Sequence, residues 1–345
     1  MDTTDVERSF QMVGQYTKEE FYSQADAWEK VLKMDTTLPE YEGNLIFFGA
    51  GVAFSVAKTL AWTARKVLGR PAFAVASQDM VLHKDVIPTL NAGLYVAISR
   101  TGTVSDNIAA IKAIKSTDLN SRIFAIIGED TQDVGKLSDA SVTLDIPEMS
   151  VATTRTISSI TLAGQAMMTR TAAPEIHESL SKLPGLLRSI TPQYEEVCNK
   201  IAAADFGQLV FLGTGPHLGM AEASALAVLE MSVERCIAHQ SLVFMHGHCV
   251  TTNHYPTLVV AYVSDAGSRE ELKALDSLNK EKTTLVCIGD SVDEKVSKYA
   301  INTNAGLSDA ARSVLYLPFG QLLGVTRSIA RGYDPDCPPN LEKVF

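Results

Sequence analysis

The sequence predicts an α/β protein made of two tandem doubly wound, flavodoxin-like parallel-sheet domains related by a pseudo-twofold repeat. Three observations carry that prediction. Apolar runs that end in a glycine turn and lead into helical stretches recur along the chain, the grammar of βαβ units covered on both faces. The chain also repeats itself: NLIFFGAG (44–51) returns as QLVFLGTG (208–215), LYVAISRTG (94–102) as LVVAYVSDAG (258–267), and RIFAIIGED (122–130) as TTLVCIGDS (283–291). Matching Gly49 to Gly213, Ser99 to Ser264 and Gly128 to Gly289 gives offsets of 164, 165 and 161 residues. Finally, 345 residues at 46% hydrophobic content suffice for two buried cores.

The elements follow in order. An acidic helical lead-in, TKEEFYSQADAWEKVLK (17–33), stands before the first strand and belongs to an N-terminal segment over 1–40. The first domain, 41–173, holds strand-like apolar runs within 44–51, at 94–98 and within 122–130, with helices at 53–68, 105–115 and 155–170. A helical linker, 174–205, carries PGLLRSITPQYEEVCNKIAAAD (184–205). The second domain, 206–330, repeats the pattern with helices at 219–234, 268–280 and 318–331, and a proline-stiffened tail covers 331–345.

Composition excludes several function classes. The formal charge of −10 argues against a general binder of nucleic acid or acidic membrane, so any small anion must be held by a local site. The first ten residues, MDTTDVERSF, lack a basic n-region followed by an apolar h-region. The apolar stretch over 45–61 is broken by Gly49, Gly51 and Lys58, so no membrane segment is expected and a cytoplasmic protein is. Cys198, Cys236, Cys249, Cys287 and Cys337 are odd in number and lack C-x-x-C spacing, which suggests reduced packing residues. GAGVAF has Phe54 where a dinucleotide turn needs its third glycine, GTGPHLG carries Pro216, and no G-x-x-x-x-G-K-[ST] occurs. No cofactor is therefore expected.

The chemistry is concentrated in three places. In AISRTGTVSDNIA (97–109) an apolar strand runs into Ser99, Thr101, Gly102, Thr103 and Ser105 just before a helix. Hydroxyls, a flexible glycine and helix N–H groups at one point can cradle a phosphate dianion, although Ser, Thr and Asp are also ordinary caps. The second copy reads Ser264-Asp265-Ala266-Gly267-Ser268, and the charge of Asp265 assigns the anion site to the first half. The helix at 219–234 carries Glu222, Glu230 and Glu234. Glu230 lies among Ala225, Leu226, Val228, Leu229 and Met231, a setting that favours a general base with a raised pKa, while a surface glutamate in i, i+4 contacts fits equally well. FMHGH (244–248) follows, with His239 and His254 nearby; a lone H-x-H is weak for metal, none is expected, and a histidine in a glycine loop suits proton transfer. In the tail RGYDPDCPPNLEKVF, Leu341 and Val344 would dock the chain and present Lys343, which is either a solvated charge or an amine acting at a sugar carbonyl.

Taken together, these motifs resemble the sugar isomerase (SIS) family. SRTGTVSD resembles its phosphate loop S-x-S-G-x-[ST]-x-D, and SVATTRTISSI (150–160) its V-A-[ST]-T-K segment. ALAVLEMS followed by MHGH resembles its A-L-K-[LV]-x-E … H-G-P run, and DPDCPPNLEKV its C-terminal motif. Within the family the chain is similar to the double-SIS proteins: the isomerase half of glucosamine-6-phosphate synthase, the SIS-type amino-sugar-phosphate deaminases and the AgaS-type tagatose-6-phosphate ketose/aldose isomerases. The resemblance implies a phosphate site drawing on Gly51, Ser99, Arg100, Thr101, Gly102, Thr103 and Ser105, with Val151 and Thr153 beside the sugar. It implies Glu230 as the C1–C2 proton shuttle, His246 as a ring-opening group supplied across a homodimer, and Lys343 at the carbonyl. The expected activity is isomerisation of a hexose 6-phosphate or deamination of an amino-hexose 6-phosphate, with no glutaminase domain. Alternatives are a fructosamine-6-phosphate deglycase, to which Ala227 in place of the helix lysine would give room, and a non-catalytic phosphosugar-binding regulator.

Overall fold

Residues 12–118, 120–130 and 132–342 are described by the structure, a computed structural model. Helices α1 (Gln15–Tyr22) and α2 (Gln24–Leu32) precede a sheet of β1 (Asn44–Gly49), β2 (Ala72–Ala76), β3 (Ala92–Ser99), β4 (Arg122–Ile127) and β5 (Ala140–Thr143). Around it stand α3 (Val52–Leu68), α4 (Ser77–Leu82), α5 (Ser105–Thr117), α6 (Asp133–Leu137) and α7 (Arg155–Ala172). After α8 (Pro174–Leu180) and α9 (Leu183–Ile201) come β6 (Gln208–Gly213), α10 (Pro216–Ser232), β7 (Cys236–Gln240), α11 (Ser241–Phe244), β8 (Thr257–Tyr262), α12 (Ser268–Leu278), β9 (Thr283–Gly289) and β10 (Tyr299–Asn302). Helices α13 (Asp309–Arg312) and α14 (Leu317–Ala330) complete the second half. No helix among the described residues is long and apolar enough to cross a membrane.

Both sheets are parallel, with strand orders β2-β1-β3-β4-β5 and β7-β6-β8-β9-β10, so the two halves share one doubly wound topology. The repeat extends to register. Phe47 pairs with Ala74 and Val96, and 164 residues later Phe211 pairs with Ala238 and Val260. Alternation along each strand explains the apolar runs. Phe47 and Val96 face a core shared with Phe211, Met220 and Phe319 of the second half, while Ile46, Phe48 and Tyr95 face an outer layer around α5.

The halves meet where α3 crosses α10, and two of the contacts there join repeat-equivalent positions. A Cβ on Gly219 would lie 2.2 Å from the carbonyl oxygen of Ser55, which sits 164 positions earlier, so glycine is what lets the helices approach. One turn on, Lys58 Nζ lies 2.8 Å from both carboxylate oxygens of Glu222, again 164 positions away. Self-opposed positions mark a pseudo-twofold axis, and divergence has made this pair complementary in charge.

Some local expectations change. The lead-in is two helices rather than one, broken at Ser23. Helix α10 starts at Pro216, pre-set for a first helical turn, and stops at Ser232 with Val233 in the left-handed region at φ 56°. Glu234 therefore lies outside the helix, bonded through both oxygens to the buried Arg327 at 2.6 Å.

Candidate active site

Strand β3 ends at the buried Ser99, and the loop that follows is held from within. Gly102 N–H donates to Ser99 Oγ (3.0 Å), and the hydroxyls of Thr101 and Thr103 lie 2.7 Å apart. Gly102 has φ 76°, and a Cβ there would lie 2.7 Å from the carbonyl oxygen of Asp130, so a side chain is excluded on both counts. Asn107 fixes the helix to the strand by donating to the Ile98 carbonyl (2.7 Å) and accepting from Ser77 Oγ (2.7 Å). Val104 stands at the N-cap of α5 with no side-chain cap, leaving the first-turn N–H groups beside Ser105 uncapped by a side chain. Gly51 caps α3 at φ 56° with open space where a Cβ would project.

Arg100, expected beside the phosphate, is also engaged within the protein. Its Nε donates to Glu129 (2.7 Å), Nη1 to the Val151 carbonyl (2.7 Å) and Nη2 to the Ser150 carbonyl (2.8 Å), while Glu148 lies 3.6 Å from Nε. The guanidinium thus braces the 148–153 segment against the loop. Glu148, which the sequence reading passed over, organises that segment. Its buried carboxylate accepts from Thr153 Oγ1 (2.7 Å), from Thr154 N–H and Oγ1 (2.9 Å each) and from Thr156 N–H (3.1 Å). Its signal was an acidic residue five positions before a threonine run that opens an apolar helix.

The second copy shows what an occupied cradle looks like. Asp309 accepts the N–H groups of Asp265 (2.9 Å) and Ala266 (3.2 Å), and Glu271 accepts Ser264 N–H (2.8 Å). Burial opposes the charge of Asp309, but bonds from His217 and Asp265 N–H and the Arg312 cation outweigh it and hold the carboxyl well below its ordinary value. Asp265, expected to repel the anion, instead points to Arg312 Nη1 at 2.6 Å. The group that fills this loop is Asp309.

Glu230 lies in the last turn of α10. Its neighbours Ala227 and Met231 pack against Ala152 of the first half and Val325 of α14, which sets this turn beside the segment braced by Arg100. Burial raises the carboxyl from 4.5 to about 7, and the Arg100 guanidinium pulls the other way. The same packing closes the room expected beside Ala227, which is only 6% exposed.

His246 is exposed on the turn after α11, an element that packs on β6, β7 and α12 of its own half. Beside it the rings of His239 and His248 lie 4.1 Å apart, and burial together with the neighbouring imidazole lowers the pKa of His239. The structure therefore brings Ser99–Thr103, Arg100, Val151, Thr153 and Glu230 together, with Gly51 and Ser105 at neighbouring helix starts, and sets His246 elsewhere on the chain. Lys343 and Val344 lie outside the described residues. The tail before them is held by carboxylates: Asp334 and Asp336 bind α1. Among the described residues no group of three or more His, Cys, Asp or Glu is placed to hold a metal ion.

Residues 41–170 match the SIS domain family. That match is to a SIS domain in the first half of the chain. The fold aligns with that of Thermotoga maritima glucosamine-6-phosphate deaminase at a TM-score of 0.80 and 24% identity, covering 96% of this chain and 99% of that one. Escherichia coli tagatose-6-phosphate ketose/aldose isomerase aligns at a TM-score of 0.77 and 21% identity, covering 96% and 97%. In sequence, the chain is 21% identical over 321 residues to the isomerizing glutamine–fructose-6-phosphate aminotransferase of Methanothermobacter thermautotrophicus, covering 92% of this chain and 53% of the relative. The chain thus spans about half the length of such relatives. A Streptomyces coelicolor protein provisionally named a D-galactosamine-6-phosphate deaminase, AgaS, is 27% identical over 334 residues, covering 88% of this chain and 83% of its own length.

Proposed function

We propose that this protein is a phosphosugar isomerase or amino-sugar-phosphate deaminase acting on a hexose or amino-hexose 6-phosphate, with its chemistry shared between domains at 41–173 and 206–330. The observation that carries the reading is Glu230: a half-buried carboxyl whose pKa rises to about 7 stands beside a segment braced to the Ser99–Thr103 loop. A base near neutrality, next to a cradle that holds the distal phosphate, is what C1–C2 proton transfer requires.

In this reading Ser99, Thr101, Gly102, Thr103 and Ser105 anchor the phosphate, with Gly51, Val151 and Thr153 along the sugar. His246 of a second copy protonates the ring oxygen and opens the ring, and Lys343 acts at the carbonyl. Glu230 removes the proton from C2 and returns it to C1 through a cis-enediol or an enolamine; with an amino substituent the resulting imine is hydrolysed to ammonia and the ketose. The names of the aligned deaminases and isomerases support this chemistry. The deglycase alternative loses part of its basis, since the position of Ala227 is packed rather than open.

The test is a thermal-shift and turnover panel of hexose and amino-hexose 6-phosphates on the wild type and Glu230→Gln. The expected result is a shared stabilising ligand and a turnover about 10²–10⁴-fold lower in the variant. Undiminished turnover in Glu230→Gln ends the assignment, and tight binding without turnover in the wild type supports the regulator.

A further inference from the structure

One turn of helix α1, from Thr17 to Glu20, is the meeting point of two chain segments that are far apart in sequence. At its start, Asp336 of the C-terminal tail, 8% exposed, accepts Tyr16 N–H (3.0 Å), Thr17 N–H (2.7 Å) and Thr17 Oγ1 (2.6 Å). These are first-turn groups of a helix that has no side-chain cap of its own, so the tail supplies the cap that local sequence lacks. Asp334 adds a bond from Gly14 N–H (2.9 Å). A Cβ on Gly14 would lie 2.7 Å from Pro335, so the tail lies flat on the helix start. Three residues after Thr17, the buried Glu20 reaches the other way. Its carboxyl accepts from Met149 N–H, Ser150 N–H and Ser150 Oγ, in the same segment whose carbonyls at Ser150 and Val151 bind Arg100.

We infer that α1 is a clamp that sets the C-terminal tail and the 149–153 segment relative to one another, with Asp336 and Glu20 as its positioning residues. The inference rests on the proposed function only for its catalytic consequence. The tail continues beyond Asp336, and Val151 and Thr153 follow Ser150 at once, so a single helical turn holds both the tail at Asp336 and the wall of the proposed sugar site. Neither positioning residue touches the sugar. Each holds backbone whose misplacement by about 1 Å costs on the order of a hundredfold in rate.

The test uses the full chain and two readouts. The first is trimming of the C-terminus by a carboxypeptidase, followed by mass spectrometry; the second is kcat and KM on the 6-phosphate that the panel identifies. Asp336→Ala is expected to speed trimming about tenfold or more and to lower kcat by a similar factor while KM changes little, because the phosphate loop is untouched. Asp336→Asn, which keeps one acceptor oxygen, should recover part of both. Glu20→Ala is expected to speed trimming as well, although Glu20 does not contact the tail, and the double variant should show less than the product of the single effects. Tyr22→Phe, which removes only the exposed bond of α1 to Glu195, should leave both readouts unchanged. Equal trimming in wild type and Asp336→Ala, both melting at the same temperature, overturns the clamp. Should no sugar phosphate be turned over, the trimming results still decide the clamp, and only the proposed function falls.

Discussion

At the residue scale, the half-buried carboxyl of Glu230 ties reactivity to instability. Below pH 4.5 it is protonated in both folded and unfolded chains and burial costs nothing. As pH rises from 4.5 towards 7 the unfolded chain releases its proton while the folded one retains it, so stability falls and stays lower above about 7. At about 1.4 kcal/mol for each tenfold change in proton affinity, that rise corresponds to roughly 3 kcal/mol. Glu230→Gln, poor in catalysis, is therefore expected to be more stable than the wild type in urea at pH 8, by up to that amount, and equal to it at pH 4. A stability difference that does not change with pH would show that the carboxyl is not buried as described. Sequence made the apolar setting of Glu230 legible, because its neighbours on one helix are consecutive in the chain. The partners of Arg100 were not legible for the converse reason: Glu129, Glu148, Ser150 and Val151 come from other loops, and nothing local reports that a guanidinium is engaged by them.

At the scale of elements, the crossing of α3 and α10 sets where Glu230 points, since its turn lies some eleven residues along the same helix from Gly219. Gly219→Ala drives a Cβ into the Ser55 backbone, which cannot move without shifting the N-terminal turn of α3. Overpacking of this kind costs about 1–3 kcal/mol. In contrast, Gly185 of α9 meets nothing where its Cβ would be, so Gly185→Ala should stabilise the chain by about 0.5–1 kcal/mol through helix propensity alone. Urea unfolding of both variants checks the pair, and equal effects would mean that the crossing is not close. The elements were legible because parallel strands buried on both faces read as unbroken apolar runs, as in LYVAIS, and because each run ends in a glycine turn. The crossing was not, since Gly219 is an unremarkable helical glycine until its repeat equivalent at Ser55 is found against it. The capping of α1 by Asp336 was hidden for the same reason: 319 residues separate the aspartate from Thr17.

At the scale of the whole molecule, duplication gave two cradles and divergence closed one of them, since Asp309 lies on the second loop while Glu148, 161 positions earlier, is turned to the start of α7. On the proposed reading one chain carries one loop for an outside anion, with Glu230 beside the segment braced to it and His246 exposed on the turn beyond edge strand β7. Around that turn Ile237, Val243 and Val250 are exposed, which is the apolar surface expected of a contact between copies. If a second copy supplies His246, a dimer mixed from His246→Ala and Glu230→Gln contains one site with both groups intact and one with neither. Random reassortment makes half of the dimers mixed, so an equimolar mixture of the two poorly active variants should regain about a quarter of wild-type turnover. Native mass spectrometry establishes that mixed dimers form, and a turnover assay on the same sample reads the recovery. Mixed dimers without recovery would place both groups in the same chain's site, and a chain that stays monomeric at assay concentration would remove the shared site altogether.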